Sequence, residues 1–181
     1  MISWLYRCPW IFIWLLVIVA PAVWGLLAFC AKKRFEKLWC IFNIVLFTVS
    51  VVAVLHMTIF NRQGGHHEVH LWPFYSLVEA KIRPALYRTL LLNVLLFLPV
   101  GLTMPFTLPD RVEHKVRVTV IFAAAFSITI ELTQLIFHLG RCETDDVIMN
   151  TIGGVIGVLG YLLDQKELIS KYRCRRNQRR M

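Results

Sequence analysis

Hydrophobic residues in this chain fall into five long runs that short charged segments separate. A membrane-spanning helix requires about 20 apolar residues, within a range of about 17–25. Five windows meet this length, near residues 10–31, 38–60, 89–108, 117–139 and 147–163. They show neither the period-two alternation of barrel strands nor the polar face of soluble helices. The predicted fold class is therefore all-α, a polytopic membrane helix bundle with five transmembrane helices.

Composition supports this prediction and excludes several other classes. The 181 residues are 57% hydrophobic and only 17% charged, with a mean hydropathy of +0.62. A soluble domain is usually about half apolar and about one quarter charged. These values exclude a disordered protein, a disulfide scaffold and an ordinary cytosolic enzyme.

The basic residues predict how the chain is oriented in the membrane. Fourteen Lys and Arg residues fall in one alternate set of segments between the spans, and six fall in the other. Because cytoplasmic loops carry the excess of positive charge, the N-terminus is predicted outside and the C-terminus inside. The predicted regions are a two-span part (1–55), a domain (56–163) with an extracytoplasmic loop (61–88), and a basic cytoplasmic tail (164–181). The tail is expected to contact anionic lipid and not nucleic acid.

Polar side chains of the last three windows gather at the face that the charge count places outside. Glu131 and Gln134 share one helix face, and a polar loop of residues 140–146 follows them. Ionisable groups inside a bilayer are costly and tend to serve a function. The candidate functional cluster comprises Glu131, Gln134, Arg141, Asp145, Asp146, Asn150 and Asn93.

Each member of this cluster also has a structural interpretation. Asp145 and Asp146 suit the positive N-terminal end of the fifth helix. Asn150 and Gln134 suit hydrogen bonds between helices. Glu131 is the strongest functional candidate, because a carboxylate in lipid needs a partner or a proton.

Two pairs of residues are candidate metal ligands. Asp145 and Asp146 offer the oxygen ligands that hard cations prefer, so a divalent cation is the candidate cofactor. His66 and His70 are four residues apart, but a zincin pattern requires Glu directly after the first His. The chain has His67 there, and an exposed polar loop is the favoured interpretation.

Two further patterns bear on association and catalysis. Gly153 and Gly157 form a Gly-x-x-x-Gly pattern, which permits close packing within the chain or self-association of two copies. The aromatic stretch 71–75 is typical of an interfacial belt or a short re-entrant segment. The sequence has no Gly-x-Ser-x-Gly motif and no Cys/His nucleophile arrangement, so whether the protein is an enzyme stays open.

Four short motifs carry a resemblance to a known family. They are LWPF at 71–74, NVLLFLPVG at 93–101, ELTQ at 131–134 and DVIMNTIGG at 146–154. In order and approximate spacing they resemble the VanZ-like family, over residues 56–163. The resemblance implies a multi-pass protein of the bacterial plasma membrane.

The resemblance also implies a role in resistance to teicoplanin, a lipoglycopeptide that binds the D-Ala-D-Ala end of cell-wall precursors. The first hypothesis is that the cluster binds the antibiotic or a lipid-linked precursor at the outer face. The first alternative is an enzyme that modifies a cell-surface lipid, with Glu131 as general acid or base and Arg141 on a phosphate or carboxylate. Further alternatives are a small transporter, in which Glu131 relays protons, and a structural partner of another membrane protein.

Overall fold

A computed structural model describes residues 23–24, 36–60 and 69–178, with side chains as far as residue 166. Most of the predicted first span, His66 and most side chains of the basic tail lie outside the described residues. The described part is mostly helical, and four of its helices are long and apolar enough to cross a membrane. These four helices correspond to the second, third, fourth and fifth predicted spans. The first predicted span, and with it the count of five, stays a prediction, as does the orientation of the termini.

The order of the elements places two very short strands among the helices. In chain order they are α1 (Glu36–Leu55), a π-helical turn (His56–Phe60), β1 (Val69–His70), α2 (Tyr75–Glu79), α3 (Ala85–Thr107), α4 (Lys115–Ile136), β2 (Cys142–Glu143) and α5 (Thr144–Gln178). Long helices are expected in lipid because they satisfy their backbone polar groups within one segment. β1 and β2 pair in parallel, with Val69 opposite Cys142 and His70 opposite Glu143. This pair was not predicted from the sequence.

Helix α3 runs through two prolines that interrupt the apolar window at the sequence level. Pro99 and Pro105 both lie inside the helix, and both are fully buried. A proline lacks a backbone N–H, so Pro99 and Pro105 each leave one carbonyl of the preceding turn without its usual donor. Helices that span a membrane tolerate such residues where neighbouring groups compensate, and α3 extends unbroken from Ala85 to Thr107. The window is therefore one continuous helix.

Helix α5 is longer than the predicted window at both ends. It begins at Thr144, and Asp145 and Asp146 occupy its first turn. Acidic side chains are favourable there because the unpaired N–H groups give the helix end a partial positive charge. The helix then continues through the basic tail to Gln178.

Helix α5 packs chiefly against α3, while α1 contacts α3 and α4 contacts α5. A Cβ atom placed on Gly153 would lie 2.1 Å from the carbonyl oxygen of Val94, and one on Gly157 would lie 2.2 Å from that of Leu98. The Gly-x-x-x-Gly face is thus covered by α3 of the same chain. One apolar core cluster of the bundle consists of Val54, Leu96, Phe97, Val100, Ala123 and Ile130.

Candidate functional site

Helices α3 and α5 begin, and α4 ends, at one end of the bundle, where hydrogen bonds join them to the short strands. The structure brings the predicted cluster residues to this end. Four carboxylates there are almost completely buried: Glu131 is 5% exposed, Glu143 8%, Asp145 2% and Asp146 6%. A buried carboxylate is stable only where donors satisfy its oxygens. The partners of each carboxylate therefore show what the cluster does.

Asp145 holds the start of the short helix α2. One carboxylate oxygen accepts the backbone N–H of Phe74 at 2.5 Å, and the other accepts that of Ser76 at 2.7 Å. Phe74 has a φ of 66°, a left-handed conformation that is uncommon outside glycine. Asp145 thus supplies the cap that α2 lacks in its own sequence. The predicted role of Asp145 in α5 did not include this contact.

Glu143 links the same segment to the loop between α4 and α5. The Ser76 hydroxyl donates to one Glu143 oxygen at 2.5 Å, and an Arg141 nitrogen lies 3.6 Å from the other. The Thr144 hydroxyl donates to the carbonyl oxygen of Leu71 at 3.1 Å. Together with the paired strands, these contacts fasten residues 69–76 to the beginning of α5. The Arg141 side chain keeps 35% of its surface exposed.

Glu131 lies behind this loop and binds its backbone. Its carboxylate accepts the N–H of Glu143 at 2.9 Å and is hydrogen-bonded to the thiol of Cys142. Burial, followed by the charge of Glu131, raises the pKa of the Cys142 thiol above its usual range. Cys142 is therefore protonated at neutral pH and is no candidate nucleophile.

Asp146 connects α5 to α3. Its carboxylate accepts a hydrogen bond from the Asn93 side chain at 2.6 Å. Asn93 and Asp146 come from two of the four motifs that carry the family resemblance. This hydrogen bond gives a structural reason for an amide at position 93 and an acid at position 146, which are 53 positions apart in the chain.

The two buried amides lie on the α4 side of the cluster. The Gln134 amide donates to the carbonyl oxygen of Thr58 in the π-helical turn at 2.9 Å, and the Asn150 amide donates to the Ser127 hydroxyl at 2.8 Å. The side-chain oxygens of Gln134 and Asn150 are buried without a hydrogen-bond partner in the described part of the chain. These amides hold α1, α4 and α5 together, as interhelical hydrogen bonds do in membranes.

The elements that build this network all lie inside the region matched by a protein-family model. The model is described as VanZ/LLP1, and it matches residues 10–165. The chain belongs to the VanZ/LLP1 family. The matched region begins well before residue 56, so it includes the first two predicted spans. It also includes the four buried carboxylates, here called the acidic cluster: Glu131, Glu143, Asp145 and Asp146.

A curated relative supports the VanZ/LLP1 assignment over part of the chain. Protein VanZ of Enterococcus faecium is 33% identical over 85 residues, which is 47% of this chain. The alignment covers 51% of that protein, so the chain spans about half the length of the curated relative it matches. No solved structure matches the chain significantly.

Of the candidate metal ligands, Asp145, Asp146 and His70 lie among the described residues of this member of the VanZ/LLP1 family. Among the described residues, no three His, Cys, Asp or Glu side chains form a group that could hold a metal ion. Both oxygens of Asp145 accept backbone hydrogen bonds, and Asp146 binds Asn93. His70 stacks on Tyr75 with ring centroids 4.3 Å apart, and His66 lies outside the described residues.

Sequence reasoning missed two residues of this VanZ/LLP1 network. Glu143 was treated as part of a polar loop, although it is as buried as the predicted acids. Ser76 is 3% exposed and follows an exposed aromatic stretch, so its burial contrasts with that of its apolar neighbours. A small polar residue within an apolar segment was the available signal.

Proposed function

We propose that this membrane protein lowers the susceptibility of a bacterial cell to teicoplanin-type lipoglycopeptides from the extracytoplasmic face of the plasma membrane. Family membership and the similarity to Protein VanZ support this proposal. The site is assigned to Arg141 because its side chain is much more exposed than the four carboxylates behind it. Arg141 is 35% exposed, whereas the four carboxylates are each at most 8% exposed.

Arg141 is proposed to be the contact for an anionic group of the ligand. A guanidinium binds a phosphate or carboxylate through two parallel hydrogen bonds. Lipid-linked cell-wall precursors carry both groups, and they are exposed on the outer face of the membrane. Glu143, 3.6 Å away, orients the guanidinium, and Ser76 in turn fixes Glu143. The proposed ligand is therefore a precursor head group, whose engagement reduces its capture by the antibiotic.

Binding is favoured over catalysis by the way the acids are used. The oxygens of Asp145 hold α2, one oxygen of Glu131 holds β2, and Asp146 holds α3. A general base needs a lone pair directed at the substrate. The oxygens named here accept hydrogen bonds from the protein, which favours a supporting role of these acids behind Arg141.

The experiment compares resistance conferred by matched variants. The chain, Arg141→Gln, Arg141→Lys and an empty vector are expressed at equal membrane levels in a susceptible Gram-positive host. The inhibitory concentration of teicoplanin is expected to rise with the wild type and to return to the vector value with Arg141→Gln. Arg141→Lys is expected to be intermediate because a lysine keeps the charge but loses the paired donors.

Arg111→Gln is the matched control, since Arg111 is an exposed arginine in the loop at the other end of the α3–α4 pair. It is expected to behave as wild type. Equal resistance from wild type and Arg141→Gln would refute the site. If the wild type itself gives no resistance, the antibiotic hypothesis fails, and lipid modification or transport becomes the hypothesis to test. A transporter would lose activity when the proton gradient is dissipated.

Orientation is part of the same proposal and is tested separately. Single cysteines at Arg141 and Glu113 are labelled in intact cells with a membrane-impermeant maleimide. Label is expected at position 141 and not at position 113, because the charge count places only the first outside. The reverse pattern would place the cluster in the cytoplasm and remove the proposed contact with surface precursors.

A further inference from the structure

Residues 71–82, which precede α3 in the chain, turn small side chains toward the protein and large apolar side chains away from it. The inward-facing residues are small, with Ser76 3% exposed and Ala80 fully buried. The large apolar side chains point away from the protein. Those at least 40% exposed include Leu71, Trp72, Phe74, Leu77, Val78 and Ile82. We call residues 71–82 the apolar shelf.

We propose that the apolar shelf lies in the bilayer at the boundary between lipid head groups and acyl chains, and that it binds lipid. In water, an amphipathic helix turns its apolar side to the protein core. The shelf does the opposite, and Ile82 is 82% and Trp72 79% exposed. If it faced water, so large an exposed apolar surface would promote association with other molecules. Contact with lipid removes this surface from water.

Continuity with α3 identifies lipid as the occupant. The shelf is followed by Arg83 and Pro84, and α3 begins at Ala85, a helix long and apolar enough to span the membrane. The shelf therefore enters the bilayer at the level where α3 begins. Helix α2 has five residues and a length of about 7.5 Å, so it lies at this level and cannot cross.

The flanking side chains fit the same depth. Tryptophan is enriched at membrane interfaces, where one part of its ring is buried in lipid and the other is hydrated. Lys81 is exposed near the C-terminal end of the shelf, and the Arg83 side chain is 65% exposed while 3.1 Å from Glu79. Long basic side chains at this depth reach the lipid phosphates.

The acidic cluster determines where the shelf lies. Asp145 binds the backbone of Phe74 and Ser76, and the Thr144 hydroxyl binds that of Leu71. On the shelf, these contacts use backbone groups, which leaves its apolar side chains able to enter lipid. The cluster and the shelf thus form one unit with a polar inner side and a lipid-facing outer side.

The test measures which reagents collide with spin labels on the shelf. Trp72→Cys, Val78→Cys and Ile82→Cys are made in a protein whose five native cysteines are replaced, and each is labelled with a nitroxide in lipid vesicles. Oxygen concentrates in the bilayer, and a nickel chelate present on both sides of the vesicles stays in water. References are Ile121→Cys, 60% exposed in a spanning helix, and Glu113→Cys in an exposed loop.

The expected result is a ratio of oxygen to nickel collisions at all three shelf positions that is several-fold above the ratio at position 113. The oxygen-to-nickel ratio at the shelf positions should therefore lie between the ratio at position 113, in water, and the ratio at position 121, in lipid. A ratio equal to that at position 113 would place the shelf in water and overturn the proposal. Protection from both reagents would also overturn it, and dipolar broadening between labels would then identify a second copy as the occupant.

Discussion

The two parts of α5 are attached to the rest of the protein by different interactions. In its first turns, Asp145 and Asp146 bind α2 and α3 through charged hydrogen bonds. At Gly153 and Gly157 its backbone instead lies directly against carbonyl oxygens of α3. The first attachment requires charge and direction. The second requires the absence of a side chain.

This difference separates positions that test the fold from positions that test the site. Close packing of backbones leaves no volume for any added atom, since protein interiors are already filled. A hydrogen-bonded carboxylate can be replaced by an amide of the same shape, which removes charge and leaves the packing volume intact. Variants at Gly153 and Gly157 should therefore destabilise the whole fold, whereas those among the buried carboxylates should weaken particular contacts.

Gly153→Ala is expected to have the largest effect. The new methyl group would lie 2.1 Å from the carbonyl oxygen of Val94, which is backbone and unable to move aside. Overpacking costs about 1–3 kcal/mol and more where backbone must shift, so the melting temperature should fall by about 5–10 °C or folding should fail. The measurement is thermal unfolding of the purified protein in detergent, together with its yield.

Gly160→Ala is the matched control on the same helix. Its methyl group would lie 2.5 Å from the Leu102 Cδ1 atom, the movable end of a side chain. A much smaller decrease is expected there. If both alanine variants lose equal stability, the close α3–α5 contact is not what sets the packing.

Asp145→Asn is expected to have the next largest effect. An amide can accept one of the two backbone N–H groups of Phe74 and Ser76, and its NH₂ group faces the other. Losing one charged hydrogen bond costs about 2 kcal/mol. The start of α2 should loosen, so trypsin should cut after Lys81 faster than in the wild type while the helices stay intact.

Asp110→Asn is the control that tests whether faster cleavage requires the replacement of a buried acid. Asp110 is exposed and 3.1 Å from Lys115, and exposed ion pairs contribute little. Its cleavage rate and melting temperature should equal those of the wild type. Unchanged proteolysis in Asp145→Asn would show that the other contacts of the segment, namely the strand pair, Ser76–Glu143 and Thr144–Leu71, are enough to hold it.

The smallest expected effect is on the reactivity of Cys142, and it reports the charge of Glu131 without changing the fold. Because the pKa of this thiol is raised, little thiolate exists at neutral pH and iodoacetamide should react slowly. Glu131→Gln removes one cause of the raised pKa, so labelling at a given pH should become faster. Burial is the larger cause and remains, so the rate should stay below that of unfolded protein.

The rate is measured against pH in a protein that keeps Cys142 as its single cysteine. Glu113→Gln, which changes an exposed loop carboxylate, should leave the curve in place. A Glu131→Gln curve that coincides with the wild type would mean that Glu131 carries no charge beside the thiol.

The fold class, the approximate positions of four spanning helices and the family could all be predicted from the amino-acid sequence. Apolar runs of bilayer length have few stable alternatives, because lipid offers no partner to backbone polar groups. The sequence also predicted that Glu131, Asp145, Asp146 and Asn93 share one end, since consecutive spans alternate in direction. Length and hydropathy contain this information locally, as Leu38–Phe60 illustrates.

The hydrogen-bond partners of the polar residues could not be predicted without the three-dimensional structure. The partners of Asp145 are backbone amides 69 and 71 positions away, and Glu143 reaches Ser76 across 67 positions. No local pattern encodes such pairs, because backbone amides look identical at every residue. The tertiary structure likewise decided that Gly153 and Gly157 meet α3 of the same chain and that α3 passes through Pro99. These contacts depend on which helix faces pack against each other. The pattern of apolar residues along the chain shows that a helix is long and apolar, but it does not specify the neighbouring surface that the helix meets.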